Sequence, residues 1–130
     1  GLYPNTPSGM PGVQTLLTLM LDHVNAGRLT LARAVDLLCA GPARVFGVAG
    51  KGRIAIGYDA DLVLVDLKAA RRIENRQIES RCGWTPFDGV RTTGWPVATL
   101  LRGTIVMRDG TILGGHSGEA LRFLEVPASL

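Results

Sequence analysis

A chain of 130 residues has room for one hydrophobic core, and 46% hydrophobic against 19% charged residues excludes a disordered composition. The net charge of +3 is spread over 12 arginines and two lysines with only 5% aromatic residues, which lacks the clustered basic face of a nucleic-acid binder. No apolar run approaches the ~18 residues of a membrane span and no signal peptide is expected at the start, so neither nucleic acid nor membrane is an expected partner.

The first dozen residues hold three prolines and three glycines, a composition that cannot sustain a helix. Helical spacing then begins. Val13, Leu16, Leu17, Met20 and Val24 share one face, with Thr15, Thr18, Asp22 and Asn25 opposite, so a helix is expected over 13–26 with its apolar side buried. Gly27 is placed to end it. Thr30 caps a second helix over 30–40, with Leu31, Ala34, Val35 and Leu38 as its buried stripe. Gly41-Pro42 stops that helix, and Pro42 starts a short helical turn through Phe46.

Beyond Val48 the texture changes to short apolar runs and period-two alternation. Residues 53–56 read as a short strand and 62–65 as a strand buried on both faces, with Gly57 to Ala60 as the turn between them. Residues 70–79 alternate weakly. Ser80 to Trp95 reads as a loop packed by its own aromatics. Residues 97–101 and 104–107 are strand material, and Asp109-Gly110 before Thr111-Ile112-Leu113 is a hairpin signal. The tail from Gly114 carries Leu121, Phe123 and Leu124 as a docking segment. The chain thus divides into a helical part, 1–48, a strand-and-turn part, 49–113, and a tail, 114–130. A helical pair this short cannot cover its own apolar faces, so it packs on the sheet or belongs to something larger.

Catalytic constellations are scarce. His23, Cys39, Cys82 and His116 include no C-x-x-C, H-x-H or H-x-x-x-H spacing, so no metal site is read and both histidines are expected in solvent. Two cysteines do not make a disulfide framework; they read as free thiols of a cytoplasmic chain. Cys39 is expected to behave as a small buried hydrophobe, and nothing close to Cys82 in sequence would lower its pKa. Glycines 47, 50, 52 and 57 follow G-x-x-G-x-G and lead from helix into strand, the reverse of a dinucleotide site, so they are turn glycines. Asp59 is expected to shape a turn, and Asp61 to accept backbone hydrogen bonds at a strand entrance.

Three stretches carry a resemblance. Residues 52–66, G-R-I-A-I-G-Y-D-A-D-L-V-L-V-D, resemble the segment that follows the catalytic barrel in the amidohydrolase superfamily, and Gly41 to Gly47 resembles its N-P-A-R-x-F-G helix. Residues 7–15, P-S-G-M-P-G-V-Q-T, are similar to the P-x-G-x-x-G-x-E-T loop of cyclic amidohydrolases, dihydroorotases above all. Residues 80–89, S-R-C-G-W-T-P-F-D-G, are similar to the dihydroorotase loop S-K-C-G-W-x-P-F-x-G. Gly94-Trp95-Pro96 and the ending Val106 to Gly110 fit as well.

The resemblance implies an α/β fold: the last helices of a (β/α)₈ barrel followed by part of a small β-sandwich. It implies a zinc-dependent enzyme that cyclises N-carbamoyl-aspartate to dihydroorotate in pyrimidine synthesis. Its zinc ligands and catalytic aspartate would precede this chain, which alone would bind no metal and be inactive. Only Ser8 and Gly9 match substrate-binding positions. The implied partners are the missing N-terminal barrel region, a small-molecule substrate, and a second copy or an aspartate transcarbamoylase. Three other readings stay open. They are an allantoinase or hydantoinase, a non-catalytic scaffold, and an independent binding module.

Overall fold

The computed structural model describes residues 9–115 and 118–124; Ser8 and His116 lie outside them. Three short helical pieces precede an antiparallel sheet. Helix α1 is Leu16–Asn25, α2 is Leu31–Val35, and α3 is Gly41–Val45. The sheet runs in the order β1 (Leu62–Arg72), β2 (Arg91–Leu101), β3 (Thr104–Arg108), β4 (Thr111–Ile112). No described helix is long and apolar enough to cross a membrane.

Helix α1 ends as expected. The Gly27 amide donates to the Val24 carbonyl (3.0 Å) and the Arg28 amide to the His23 carbonyl (3.0 Å), a Schellman ending. Its packing reverses the expectation. The face that meets β2 is the threonine face, with Thr15, Thr18 and Leu21 buried, while Leu16 is exposed and the preceding Val13 is 95% exposed. Hydrogen bonds explain the choice. Thr18 Oγ1 donates to the Gly94 carbonyl (2.7 Å) and lies 3.1 Å from Thr92 Oγ1. The Thr93 amide donates to Asp22 Oδ1 (2.9 Å), and Asn25 Nδ2 donates to the Thr93 carbonyl (3.0 Å). These side chains meet backbone groups of β2 that β1 leaves unpaired around Gly94, so polar groups are satisfied where apolar ones could not satisfy them.

The second helix does start at Thr30, whose hydroxyl accepts the Arg33 amide (3.2 Å). Gly41-Pro42 does not stop it. The helix widens into a π turn over Asp36–Ala40 and continues as α3, with the Gly41 amide reaching back to the Asp36 carbonyl. Proline has no N–H, and the widened turn absorbs the missing bond. Of the expected stripe only Ala34 is buried; Leu31 and Val35 are exposed, and Cys39 is exposed rather than a core residue.

The sheet corrects the strand expectations in three places. Residues 53–56 form no strand, and Ile54 is 90% exposed, because no neighbouring strand among the described residues offers them a ladder. Residues 62–65 begin a longer strand that reaches Arg72, but Val63 and Leu64 are exposed since nothing described covers β1 from outside. Residues 91–95, the end of the loop expected over 80–95, are instead the start of β2.

Between Asp66 and Ala70 the β1 register slips, and Asp66 Oδ1 ties in the amides of Lys68 (2.8 Å) and Ala69 (3.1 Å). The Asp109-Gly110 hairpin is present, with Asp109 at φ 49°, and a second two-residue turn at Arg102-Gly103 has Arg102 at φ 46°. Positive φ at both central positions matches the right-handed strand twist. The tail docks through its backbone: the Ala49 amide donates to the Arg122 carbonyl (2.9 Å) and the Leu124 amide to the Gly47 carbonyl (2.7 Å). Its apolar side chains Leu121, Phe123 and Leu124 stay exposed.

The buried hydrophobic core of the described residues is Leu21, Ala34 and Ile73. For a chain 46% hydrophobic this is small, and many other apolar side chains, among them Leu16, Val45, Ile54, Ile56, Val63 and Leu64, are exposed.

Candidate functional site

The two loops that carry the resemblance meet. The first, residues 9–14, enters α1 with Gly9 exposed at φ 152°, a conformation that favours glycine. No atom stands within 4 Å of where a Cβ would be, so the backbone angle rather than crowding asks for glycine there. The far end of this loop is held by the helix: the Leu16 amide and the Thr15 hydroxyl both donate to the Gly12 carbonyl (3.1 and 3.3 Å).

The second loop, 74–90, is closed at its base by Ile73, whose amide donates to the Val90 carbonyl (2.9 Å) and whose carbonyl accepts the Gly89 amide (2.8 Å). Inside it Asn75 is the organiser. Its amide donates to Asp88 Oδ1 (2.8 Å), and its Oδ1 accepts the Thr85 amide (2.8 Å). Thr85 is buried, whereas Trp84 is 44% exposed. The expectation of a loop packed by its own aromatics is therefore corrected: side-chain-to-backbone hydrogen bonds hold it. Asn75 was not singled out in the sequence, where an Asn among loop residues carries no distinguishing signal.

The connection between the loops is Gln14, also unmarked by composition or periodicity. Its Nε2 donates to the Gln77 carbonyl (2.5 Å) and its Oε1 accepts the Glu79 amide (2.9 Å). A groove of about 270 Å³ lies between them, lined by Pro11, Val13, Gln14, Ile78 and Ser80. Next to it Cys82 is exposed, and its Sγ lies 3.2 Å from Ser80 Oγ. The Ser80 hydroxyl, with backbone hydrogen bonds at Trp84, holds the thiol below its ordinary range. Ser80 is only two residues from Cys82, so the expectation that nothing close in sequence would lower this pKa is corrected; the turn that bonds the Gly83 amide to the Ser80 carbonyl (3.0 Å) brings the hydroxyl onto the thiol.

A second polar cluster has a structural role. Lys51 Nζ bridges Asp59 Oδ2 (2.9 Å) and Asp61 Oδ2, and Asp61 Oδ1 accepts the Arg102 amide (2.8 Å) at the hairpin turn. Asp61 thus accepts a backbone hydrogen bond as expected, though across the sheet from Arg102, and Lys51 is the partner that the sequence did not announce. Asp61, then Asp59, hold Lys51 above the ordinary lysine value, while Lys51 and the Arg102 amide hold Asp61 below the ordinary carboxylate value. His23 is exposed, and its Nδ1 accepts from Arg28 Nε (2.7 Å).

The zinc implied by the resemblance needs three or four converging ligands. Among the described residues no group of three or more His, Cys, Asp or Glu side chains is arranged to hold a metal ion, so these residues do not fit a zinc centre.

Residues 9–106 match the Amidohydrolase family, three-quarters of the chain. The chain belongs to that family. Within the amidohydrolases it is 44% identical over 112 residues to a dihydroorotase of Methanothermobacter thermautotrophicus, covering 86% of this chain and 26% of that protein. It is 46% identical over 118 residues to a dihydroorotase of Halobacterium salinarum, covering 91% of this chain and 28% of that one. The solved L-hydantoinase from Arthrobacter aurescens superposes with a TM-score of 0.78 at 42% identity, over 82% of this chain and 24% of that chain. This amidohydrolase chain therefore spans about a quarter of the length of the relatives it matches.

Proposed function

We propose that the chain is the C-terminal part of a dihydroorotase, in which it supplies the last helices of the catalytic barrel and part of a small β-sandwich. The whole protein would interconvert N-carbamoyl-aspartate and dihydroorotate by closing and opening a ring amide. The observation that carries this is the junction of the 9–14 and 74–90 loops through Gln14, because both dihydroorotase-like motifs are then presented on one surface. The identities of 44% and 46% to two dihydroorotases support the same substrate.

In this reading Ser8 and Gly9 approach the substrate ring through backbone groups, and glycine at the second position leaves room for it. The zinc is assigned to residues outside this chain, as are the groups that move the proton. The exposed apolar side chains, Val13 before α1, Leu16 in it, and Val63 and Leu64 on β1, are the surfaces that the preceding part of the protein would cover. Burying such side chains stabilises by about 1.5–3 kcal/mol each, so the chain has much to gain from that partner.

A hydantoinase is the second reading, favoured by the likeness to the solved L-hydantoinase. The test is ring opening of dihydroorotate, hydantoin and allantoin by the longer protein. Turnover of dihydroorotate, with hydantoin and allantoin slower, is the expected result. Hydantoin opened and dihydroorotate untouched would establish the second reading instead.

A further inference from the structure

We infer that Gln14 is a positioning residue that fixes the reach of the Gly9–Gly12 loop toward a bound cyclic amide; this rests on the function proposed above. The side chain uses both halves of one amide on a single backbone stretch. Its Nε2 donates to the Gln77 carbonyl (2.5 Å) and its Oε1 accepts the Glu79 amide (2.9 Å). A carbonyl at one residue and an amide two residues later are the pair that a neighbouring parallel strand would engage. The Gln14 amide stands in for that strand beside Ile78.

Among the described residues, both hydrogen bonds joining the two loops come from this one side chain. Val13, which lines the groove, is 95% exposed and adds little apolar packing to them. The loop is thus pinned by α1 at Gly12 and by the amide at Gln14, which leaves Gly9 at the end of a short fixed lever. A pinned loop loses less freedom when substrate binds, and that saving enters ground-state binding and transition-state binding alike.

The residue type matters. The motif that this loop resembles has Glu at this position; a carboxylate only accepts, and would face the Gln77 carbonyl oxygen without a proton. Glutamine supplies the donor.

The experiment compares wild type, Gln14→Ala and Gln14→Glu in the longer protein, with dihydroorotate as substrate and amide hydrogen exchange read on the same samples. Gln14→Ala is expected to raise KM about five- to tenfold, the worth of one to two hydrogen bonds, with kcat nearly unchanged. Exchange at Glu79 and across residues 10–14 should quicken while the unfolding midpoint stays put. Gln14→Glu, which keeps the acceptor for Glu79, should lie between. Unchanged KM and exchange in an active enzyme, or a fall in kcat at constant KM, overturns the positioning role alone. A wild type that opens no cyclic amide overturns the function reading and this inference with it.

Discussion

A Cβ on Gly94 would stand 2.5 Å from the Cβ of Leu21, closer than two such atoms can approach. Gly94 also sits at φ 103°. The contact of α1 with β2 therefore depends on the absence of one methyl group, at the point where Thr18 bonds to the Gly94 carbonyl. Gly94→Ala must push the helix outward or distort the strand, and is expected to cost about 2–4 kcal/mol. Urea denaturation should show the midpoint falling with little change in slope.

The buried threonines make a second, directional prediction. Thr18 Oγ1 has one proton, given to Gly94, so it accepts from Thr92. Thr18→Val strands both the Gly94 carbonyl and the Thr92 hydroxyl, and should cost about 2–3 kcal/mol. Thr92→Val leaves the bond to Gly94 intact, and should cost about 1 kcal/mol. The double variant should be less destabilised than the sum, a coupling that a double-mutant cycle measures.

The Lys51–Asp61 pair predicts a pH profile. Asp61 is held below 3.8, so its contribution is present above that value and is lost as pH falls beneath it. Lys51 is held above 10.5, so its contribution is complete below that value and is lost as pH rises past it. Asp61→Asn keeps an oxygen for the Arg102 amide but removes the charge and replaces the oxygen that Lys51 bonds with an NH2 donor. Its deficit in melting temperature should be constant through neutral pH and shrink both below 3.8 and above 10.5.

At the loop tip, the Ser80 hydroxyl favours the Cys82 thiolate. Ser80→Ala should slow alkylation of Cys82 by iodoacetamide at neutral pH, while Cys39, also exposed, reacts at an unchanged rate. Peptide mass spectrometry resolves the two sites.

Local signals proved legible where one residue decides one turn. Gly27, Thr30 and Asp109-Gly110 end, start and reverse the chain as their chemistry dictates. Faces were not legible. The apolar side of α1 looked like the buried one, yet its threonine side meets the sheet, because β2 offers unpaired backbone groups that only polar side chains satisfy. The same shortfall applies to 53–56 and 62–65: an apolar run does not say whether a neighbour covers it, and Ile54, Val63 and Leu64 are exposed. At the site, Gly9 and Gln14 were legible as positions of one motif, but the contacts of Gln14 and Asn75 run across 63 and 10 residues of sequence, a separation that no local pattern announces.

In the proposed function, ring-opening chemistry is expected only of a longer protein that contains this chain as its C-terminal part. The direct measurement is dihydroorotate turnover by residues 1–130 alone and by the longer protein, side by side. Turnover confined to the longer protein is the predicted result. Turnover by the isolated chain, or a longer protein that opens hydantoin and leaves dihydroorotate intact, would contradict it.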